Sequence, residues 1–438
     1  MNRYLGTKTK ILPQIADAIL SLGKVDSVCD IFAGSLAVSL FLKRRGYGVI
    51  ANDVNRLSYA YARAYLIPNA VPQLEVRKLL PRVTNGRLTK LRAEAKELLA
   101  RQREAFNQQN LWGEFRSWDD YVEQLESLSL VLTFLQNANE PSHPKLRLRS
   151  DVLNHYTKAG RNSSFHSVRG TRGKRNFFSA QNGHRLDFIL SHLRYWVQEG
   201  LLDEEGKYTL LSVVLDTMER CVNIHGTYHD FPRNELEERA RKPLRLVFPN
   251  YFGLLQSKRR HVAACENSLN YIAKAPKHNV LYIDPPYNFR QYTAYYHLPN
   301  FFVLYPDIED LDDYLSKLEF VRGQNMSDDF ASPFSNRERF LPALKELIEG
   351  AKCQHVILSY FDGVNHWNQF LADDNSTGYQ LIERFFKTSL FRSGSLKVVP
   401  IDRMNYQSQN GCRAKKVTEY LFIAEREGAR SPVLAGRR

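Results

Sequence analysis

Cysteine is scarce in this chain. Five occur in 438 residues, at Cys29, Cys221, Cys265, Cys353 and Cys412, too far apart to form the close pairs of a cysteine metal site or a disulfide framework. They predict reduced, mostly buried thiols in a cytoplasmic protein, with no metal. Long apolar runs are missing as well. No stretch approaches the ~20 residues of a membrane-spanning helix, and no secretory leader is expected at the N-terminus, so no membrane is expected as a partner. Acidic residues are in deficit: 47 Asp and Glu against 61 Lys and Arg leave a net charge of +14. That balance favours a polyanionic partner. The length allows a large core and about two or three domains.

What the chain does have is a strand that stops on an acidic, proline-rich loop. Residues 279–283 (Asn-Val-Leu-Tyr-Ile) are rich in β-branched and aromatic side chains and run into Asp284, Pro285, Pro286 and Tyr287. They read as a buried strand entering a rigid loop, at the end of a parallel sheet where α/β folds place their chemistry. The prolines hold the backbone and remove two N–H donors, so the loop offers carbonyl acceptors beside a carboxylate and an aromatic face. These groups suit the exocyclic amine of a nucleobase, whose lone pair is delocalised into the ring. Asp284 and the Pro285 carbonyl can accept its hydrogen bonds and draw the nitrogen toward a tetrahedral, attacking geometry, while Tyr287 stacks on a base turned out of a helix. Positioning then supplies much of the rate without a strong base. The plainer reading is a proline-stiffened turn after a core strand, and four residues alone do not separate the two.

The N-terminal region adds three more elements. Tyr4, Gly6, Thr7 and Lys8 precede a helical pattern over residues 11–22 that stops at Gly23. A glycine, a hydroxyl and a lysine before a helix can hold a carboxylate, although a solvated lysine is the plainer alternative. Residues 28–35, with Asp30, Phe32 and Gly34, read as a strand entering a glycine turn, followed by a helix over about 36–45. That is the opening of a Rossmann-like unit, where the turn lets a cofactor approach the backbone. A second strand over 47–51 ends at Asn52 and Asp53. An acidic residue there can bind ribose hydroxyls or cap the next helix, and the two roles are compatible.

Taken in this order, the pieces resemble the DNA adenine-N6 methyltransferases of the Dam-like (D12, alpha-type) class, which includes several restriction-modification enzymes. In that class an aromatic-x-Gly-x-Lys element opens the chain, Asp-x-Phe-x-Gly follows, and Asp-Pro-Pro-Tyr comes much later. The matching residues are Tyr4, Gly6 and Lys8; Asp30, Phe32 and Gly34; Asp53; and Asp284 to Tyr287. The resemblance covers about 65 N-terminal residues and a stretch from about 255 to 424. It implies an α/β fold: a Rossmann-like S-adenosylmethionine-dependent methyltransferase with a largely helical target-recognition insert. It also implies transfer of a methyl group from S-adenosyl-L-methionine to the N6 amine of a flipped adenine in double-stranded DNA, in restriction-modification or phage defence, alongside a restriction endonuclease. Tyr4, Gly6, Lys8, Asp30, Phe32, Gly34, Asp53, Asn267 and Asp284 would bind the cofactor, with Tyr4 and Lys8 at its methionine end. Asp284, Pro285, Pro286 and Tyr287 would be catalytic. Two departures stand out. Leu36 occupies the place of a second glycine in the turn, and before the catalytic strand the chain reads Cys265-Glu266-Asn267-Ser268, so either Glu266 or Asn267 could meet the cofactor's adenine.

The expected catalytic domain is discontinuous, over 1–66 and 255–426, around an inserted domain over 67–254 and before a flexible tail over 427–438. Within the insert, helical patterns fall near 88–107 and 118–138. Between Pro141 and Arg185, Lys145, Arg147, Arg149, Lys158, Arg161, Arg169, Arg172, Lys174, Arg175 and Arg185 stand against Asp151 alone, with Phe165, Phe177 and Phe178 interleaved. A solvated face usually mixes signs, so this stretch points to phosphate contacts, above all through Lys145, Arg147, Arg149, Arg169, Arg172, Lys174 and Arg175. After the catalytic loop, Arg290, Gln291 and Tyr292 could fill the gap left by a flipped base, or simply pack. Further on come helical patterns near 310–321 and 337–351, a strand over 355–360 with a turn at Asp362, and strands near 396–401 and 416–424 that read as a closing antiparallel hairpin. An RNA adenine methyltransferase is a second reading, which more often has Asn in place of Asp284. A nucleic-acid-binding protein on an inactive methyltransferase fold is a third, which has no need of Lys8, Asp53 and Asp284 together.

Overall fold

A computed structural model describes residues 4–100, 103, 118–249, 251, 254–255, 257–362, 365–367, 376–404 and 416–428. Cys412, the connection over 406–415 and most of the expected tail lie outside these residues. The chain packs as two compact units. One comprises residues 4–62 and 257–292 with the described residues from 330 onward; the other comprises the described residues of 63–256 together with 293–329.

Eleven strands, numbered in chain order, occur among the described residues. Seven build one sheet in the first unit: β1 (Ser27–Asp30), β2 (Gly48–Asn52), β5 (Val262–Ala264), β6 (Val280–Ile283), β9 (His355–Phe361), β10 (Lys397–Met404) and β11 (Lys416–Glu425). Their order is β10-β11-β9-β6-β1-β2-β5. The pairs from β9 through β5 are parallel, whereas β11 runs antiparallel to both β9 and β10. The apolar runs explain the parallel centre. All residues of β2 and β6 are buried, as expected where both faces of a sheet are covered. One face carries the core cluster of Ile31, Leu281, Ile283, Leu344, Leu347, Val356 and Leu358, closed by the helix Phe340–Gly350.

The chain leaves β1 through the helix Ala37–Arg44 to β2 on one side, and β6 returns on the other side of β1. The carboxyl ends of β1 and β6 therefore flank the point where the strand order reverses, which is where open α/β sheets form their crevice. Asp30 ends β1 and Asp284 follows β6.

The other unit is largely helical. Its longest helices are Ala180–Gln198 and Glu204–Cys221, capped by side chains of Ser179 and Asp203 that accept from the N–H groups of Asn182 and Gly206. Two short hairpins join them: β3 (Ser164–His166) with β4 (Arg172–Lys174), and β7 (Leu318–Glu319) with β8 (Gln324–Asn325). The helical pattern expected near 310–321 is only Leu311–Ser316 before the chain turns into β7. The stretch 293–329 packs with this unit, although the sequence reading left it with the catalytic half. Among the described residues, no helix is long and apolar enough to cross a membrane.

Candidate active site

The site in the sheet unit grows from the turn after β1. Gly34 has φ +48°, and a Cβ there would come within 2.8 Å of the Tyr4 ring, so the turn and the N-terminal segment pack as closely as glycine permits. The Gly34 N–H donates to Asp53 Oδ2 at 2.7 Å, and the Asn55 N–H donates to Asp53 Oδ1 at 2.8 Å. Asp53 thus ties the glycine turn to the end of β2, while Asn55 holds the N-cap position of the helix Arg56–Tyr61. Leu36, where a second glycine was missing, adopts the left-handed conformation itself (φ +59°) and is repaid by burial. Asp30 accepts from Ser39 Oγ at 2.7 Å, and burial, with Asp284 and Asp53 nearby, pushes its carboxyl up to about 7.

The other named cofactor residues are placed less directly. Gly6 has φ +77°. Tyr4 and Tyr292 have ring centroids 5.9 Å apart, and Asn55 Nδ2 donates to the Tyr4 hydroxyl at 3.3 Å. Phe32 packs edge-on to Phe334. Asn267 is the N-cap of the helix Ser268–Lys274, accepting from the Leu269 N–H, and Glu266 pairs with Lys274. The side chains of both are engaged locally, and neither is singled out.

At the end of β6 the structure shows a feature that the sequence reading missed. Lys8, only 6% exposed, places its ammonium 2.9 Å from Asp284 Oδ1 and also pairs with Glu419, a residue of β11 that is 0% exposed. Glu419 further accepts from Ser359 Oγ and Arg403 Nε, both at 2.7 Å. Two carboxylates compete for one ammonium. Burial works against charge on Lys8, but Asp284 and Glu419 outweigh it and hold the amine well above the usual lysine range. Burial also works against charge on Glu419, yet Lys8 and Arg403 hold it down at about 2. Asp284 goes the other way: burial, reinforced by Glu419 and only partly offset by Lys8, pushes it up to about 6. Glu419 keeps the ammonium, and Asp284, with its side chain 18% exposed, is the titratable and accessible carboxylate. Lys8 is therefore an internal partner of the loop, not a free cation awaiting a carboxylate.

Tyr287 also differs from expectation. Its ring is 7% exposed, 5.6 Å from Tyr360 and 6.0 Å from Phe340 between centroids, and its hydroxyl has no hydrogen-bond partner among the described residues. The ring belongs to the apolar cluster under the sheet and offers no face for stacking; an aromatic followed by alternating polar residues gave no sign of which way it turned. Pro285 is buried beside it, Pro286 is half-buried, and the exposed ring of this loop is Phe289. Arg290 and Gln291 are exposed and Tyr292 is half-buried.

The basic stretch divides. Lys145, Arg147, Arg169, Arg172 and Lys174 are exposed, the last three on or beside the β3–β4 hairpin. Arg149 is not free: it pairs with Asp151 and Asp312. Arg175 is 5% exposed and donates to the carbonyls of Asn162 and Phe320 at 3.2 and 3.1 Å. These two arginines serve the unit's own packing, because each found acceptors distant in sequence that a count of charges does not see. Phe177 and Phe178, interleaved with the cations in sequence, are fully buried.

Comparison with known proteins points to one family. Residues 4–194 match the model of the D12 class N6 adenine-specific DNA methyltransferases, a span that holds the Gly34 turn and Asp53 but not the Asp284 loop. The matched span is a little under half of the chain. Its relatives include the modification methylase StsI of Streptococcus sanguinis, 24% identical over 97% of this chain and 52% of that protein. The type II methyltransferase M.NlaIII of Neisseria lactamica is 29% identical over 60% of this chain and 70% of its own length. The type II methyltransferase M.FokI of Planomicrobium okeanokoites is 25% identical over 58% and 35% respectively. The chain thus spans about half the length of StsI. Among its described residues the chain carries no group of three or more His, Cys, Asp or Glu side chains placed to hold a metal.

Proposed function

We propose that the protein transfers a methyl group from S-adenosyl-L-methionine to the N6 amine of adenine in duplex DNA, as the modification partner of a restriction endonuclease. The observation that carries this reading is Asp284 at the mouth of the sheet, an accessible carboxylate held by the Lys8 ammonium at 2.9 Å. The residues fit the cofactor: the glycine turn after β1 and the Asp53 carboxylate after β2, joined by the Gly34 N–H at 2.7 Å, lie at the carboxyl ends of adjacent parallel strands, and a carboxylate there is an acceptor suited to ribose hydroxyls. Bound S-adenosylmethionine supplies an electrophilic methyl group.

The chain's own residues do the rest by positioning. Asp284 accepts a hydrogen bond from the target amine and, together with the Pro285 carbonyl, turns its lone pair toward the methyl group. Lys8 fixes the Asp284 carboxylate, and Glu419, itself held by Arg403, fixes Lys8. Tyr287 supports the loop from below through Tyr360 and Phe340, so stacking on a flipped base falls to rings nearer the surface, of which Phe289 is the exposed one in this loop. The exposed cations of the other unit, Arg169, Arg172 and Lys174 among them, meet backbone phosphate.

Incubation with labelled S-adenosylmethionine and unmethylated genomic DNA tests the reading. Digestion to nucleosides should yield labelled N6-methyldeoxyadenosine, and Asp284→Ala should still bind duplex DNA but transfer at least ~100-fold more slowly, by analogy with the loss of one preorganised contact. Label in methylcytosine, or in RNA alone, refutes the assignment.

A further inference from the structure

Among the described residues, only two non-glycine residues have positive φ: Leu36 and Phe320. Leu36 is repaid by burial, as described above. Phe320 is not. It sits at φ +58°, a conformation that L side chains adopt only at a cost, and its ring is 44% exposed. It begins the four-residue turn between β7 and β8.

The turn is held from beneath by buried groups. Arg175 Nη2 donates to the Phe320 carbonyl at 3.1 Å, and the Gly323 N–H donates to the same carbonyl at 3.1 Å. His297 Nε2 lies 3.1 Å from the Arg322 carbonyl, and the Tyr156 hydroxyl donates to the Gly323 carbonyl at 2.8 Å. Gly323 (φ +65°) faces the Arg175 guanidinium so closely that a Cβ would lie 2.5 Å from Nε. A buried arginine, a tyrosine and a histidine thus hold a strained turn whose outward product is one exposed aromatic ring. Strain of this kind persists where function keeps it.

The neighbourhood says what the ring meets. Arg175 directly follows β4, whose Arg172 and Lys174 are exposed, so the bond from Arg175 ties the Phe320 turn to the strand that carries these cations. An exposed aromatic beside exposed cations is the composition of a nucleic-acid surface, in which cations meet phosphates and rings meet bases. We propose that Phe320 is a base-stacking contact, held out by the Arg175 clamp toward a base of the bound DNA. This deepens, and rests on, the reading of the protein as a DNA methyltransferase. It assigns to the 293–329 segment a role in DNA contact.

The test measures binding of a fluorescent 30-base-pair mixed-sequence duplex across a salt series, with thermal unfolding of each variant. Phe320→Ala and Phe320→Gly should weaken binding about fivefold or more, Phe320→Trp should bind as the wild type does, and the salt slope should stay constant because no charge is lost. Phe320→Gly should unfold no earlier than the wild type, since glycine takes the turn without strain. Unchanged affinity in Phe320→Gly overturns the proposal, and so does a loss that tracks a fall in melting temperature or that Phe320→Trp fails to prevent. A wild-type protein that does not bind the duplex removes the methyltransferase reading and this inference with it; wild-type binding with an indifferent Phe320→Ala removes the inference alone.

Discussion

Replacing Glu419 by glutamine tests the part of the site that joins β11 to the Asp284 loop. The change keeps the volume, and the amide oxygen can still accept from Ser359, but the charge shared with Lys8 and Arg403 is gone. Removing one partner of a buried pair costs about 3–5 kcal/mol, and the near-isosteric amide places this change at the low end, about 3. In a unit of this size that is a fall of about 6–12 °C in melting temperature. The pH dependence carries the more specific signature. Asp284 stands at about 6 partly because Glu419 repels its charge, so without Glu419 the Asp284 carboxylate forms more readily. The acidic limb of kcat/KM, near pH 6 in the wild type, should move to lower pH in Glu419→Gln. Stability follows the same signs. Glu419, held at about 2 against its ordinary 4.5, contributes stability that is present above pH ~4.5 and lost as pH falls toward 2. Asp284, raised to about 6, binds its proton more tightly in the folded protein, so its contribution declines as pH rises from about 4 to about 6. Both slopes should shrink in Glu419→Gln. Melting curves from pH 2 to 8 and initial rates from pH 4 to 8 would decide it: wild-type stability together with an unmoved acidic limb refutes the shared-ammonium arrangement.

Other substitutions separate the remaining roles. Asp53→Ala removes the acceptor of the Gly34 and Asn55 N–H groups and should weaken S-adenosylmethionine binding by about 1.5–3 kcal/mol, measured by calorimetry. Reversing Arg169, Arg172 and Lys174 should lower the salt slope of DNA binding by about 0.9 per lost phosphate contact; Arg175→Ala should instead lower the melting temperature, because two carbonyls lose their donor. Tyr287→Phe should melt no earlier than the wild type and stay active, since the buried hydroxyl has no partner to lose, whereas Tyr287→Ala should cost about 3–5 kcal/mol in chemical denaturation through the cavity it leaves.

How far the chain could be read in advance depended on the range of the forces involved. β1, β2, β6 and β9 were legible because a strand buried on both faces must be a continuous apolar run. The turn at Gly34 and the acidic residue that closes β2 were legible because each depends on neighbours in the chain. β5, with three half-buried residues, and the two-residue strands β7 and β8 carry too little pattern to be seen. They exist because a partner strand lies beside them.

Residues 4 to 53 and the Asp284 loop, read alone, carried the expectation of methyl transfer to an amine, since the side chains that could meet a cofactor and an amine are set by local order and spacing. Which of those side chains remain available was decided by the fold. Residues 8, 284 and 419 meet only when β11 joins the sheet beside β9, and a carboxylate in a strand of mixed polarity looks the same in sequence whether it faces solvent or an ammonium. Likewise Arg175 and Arg172 are alike as letters; Arg175 is taken inward by carbonyls at positions 162 and 320 that only packing brings to it. Charge and aromaticity are properties of the residue, but exposure is a property of the neighbours, and those come from every part of the chain.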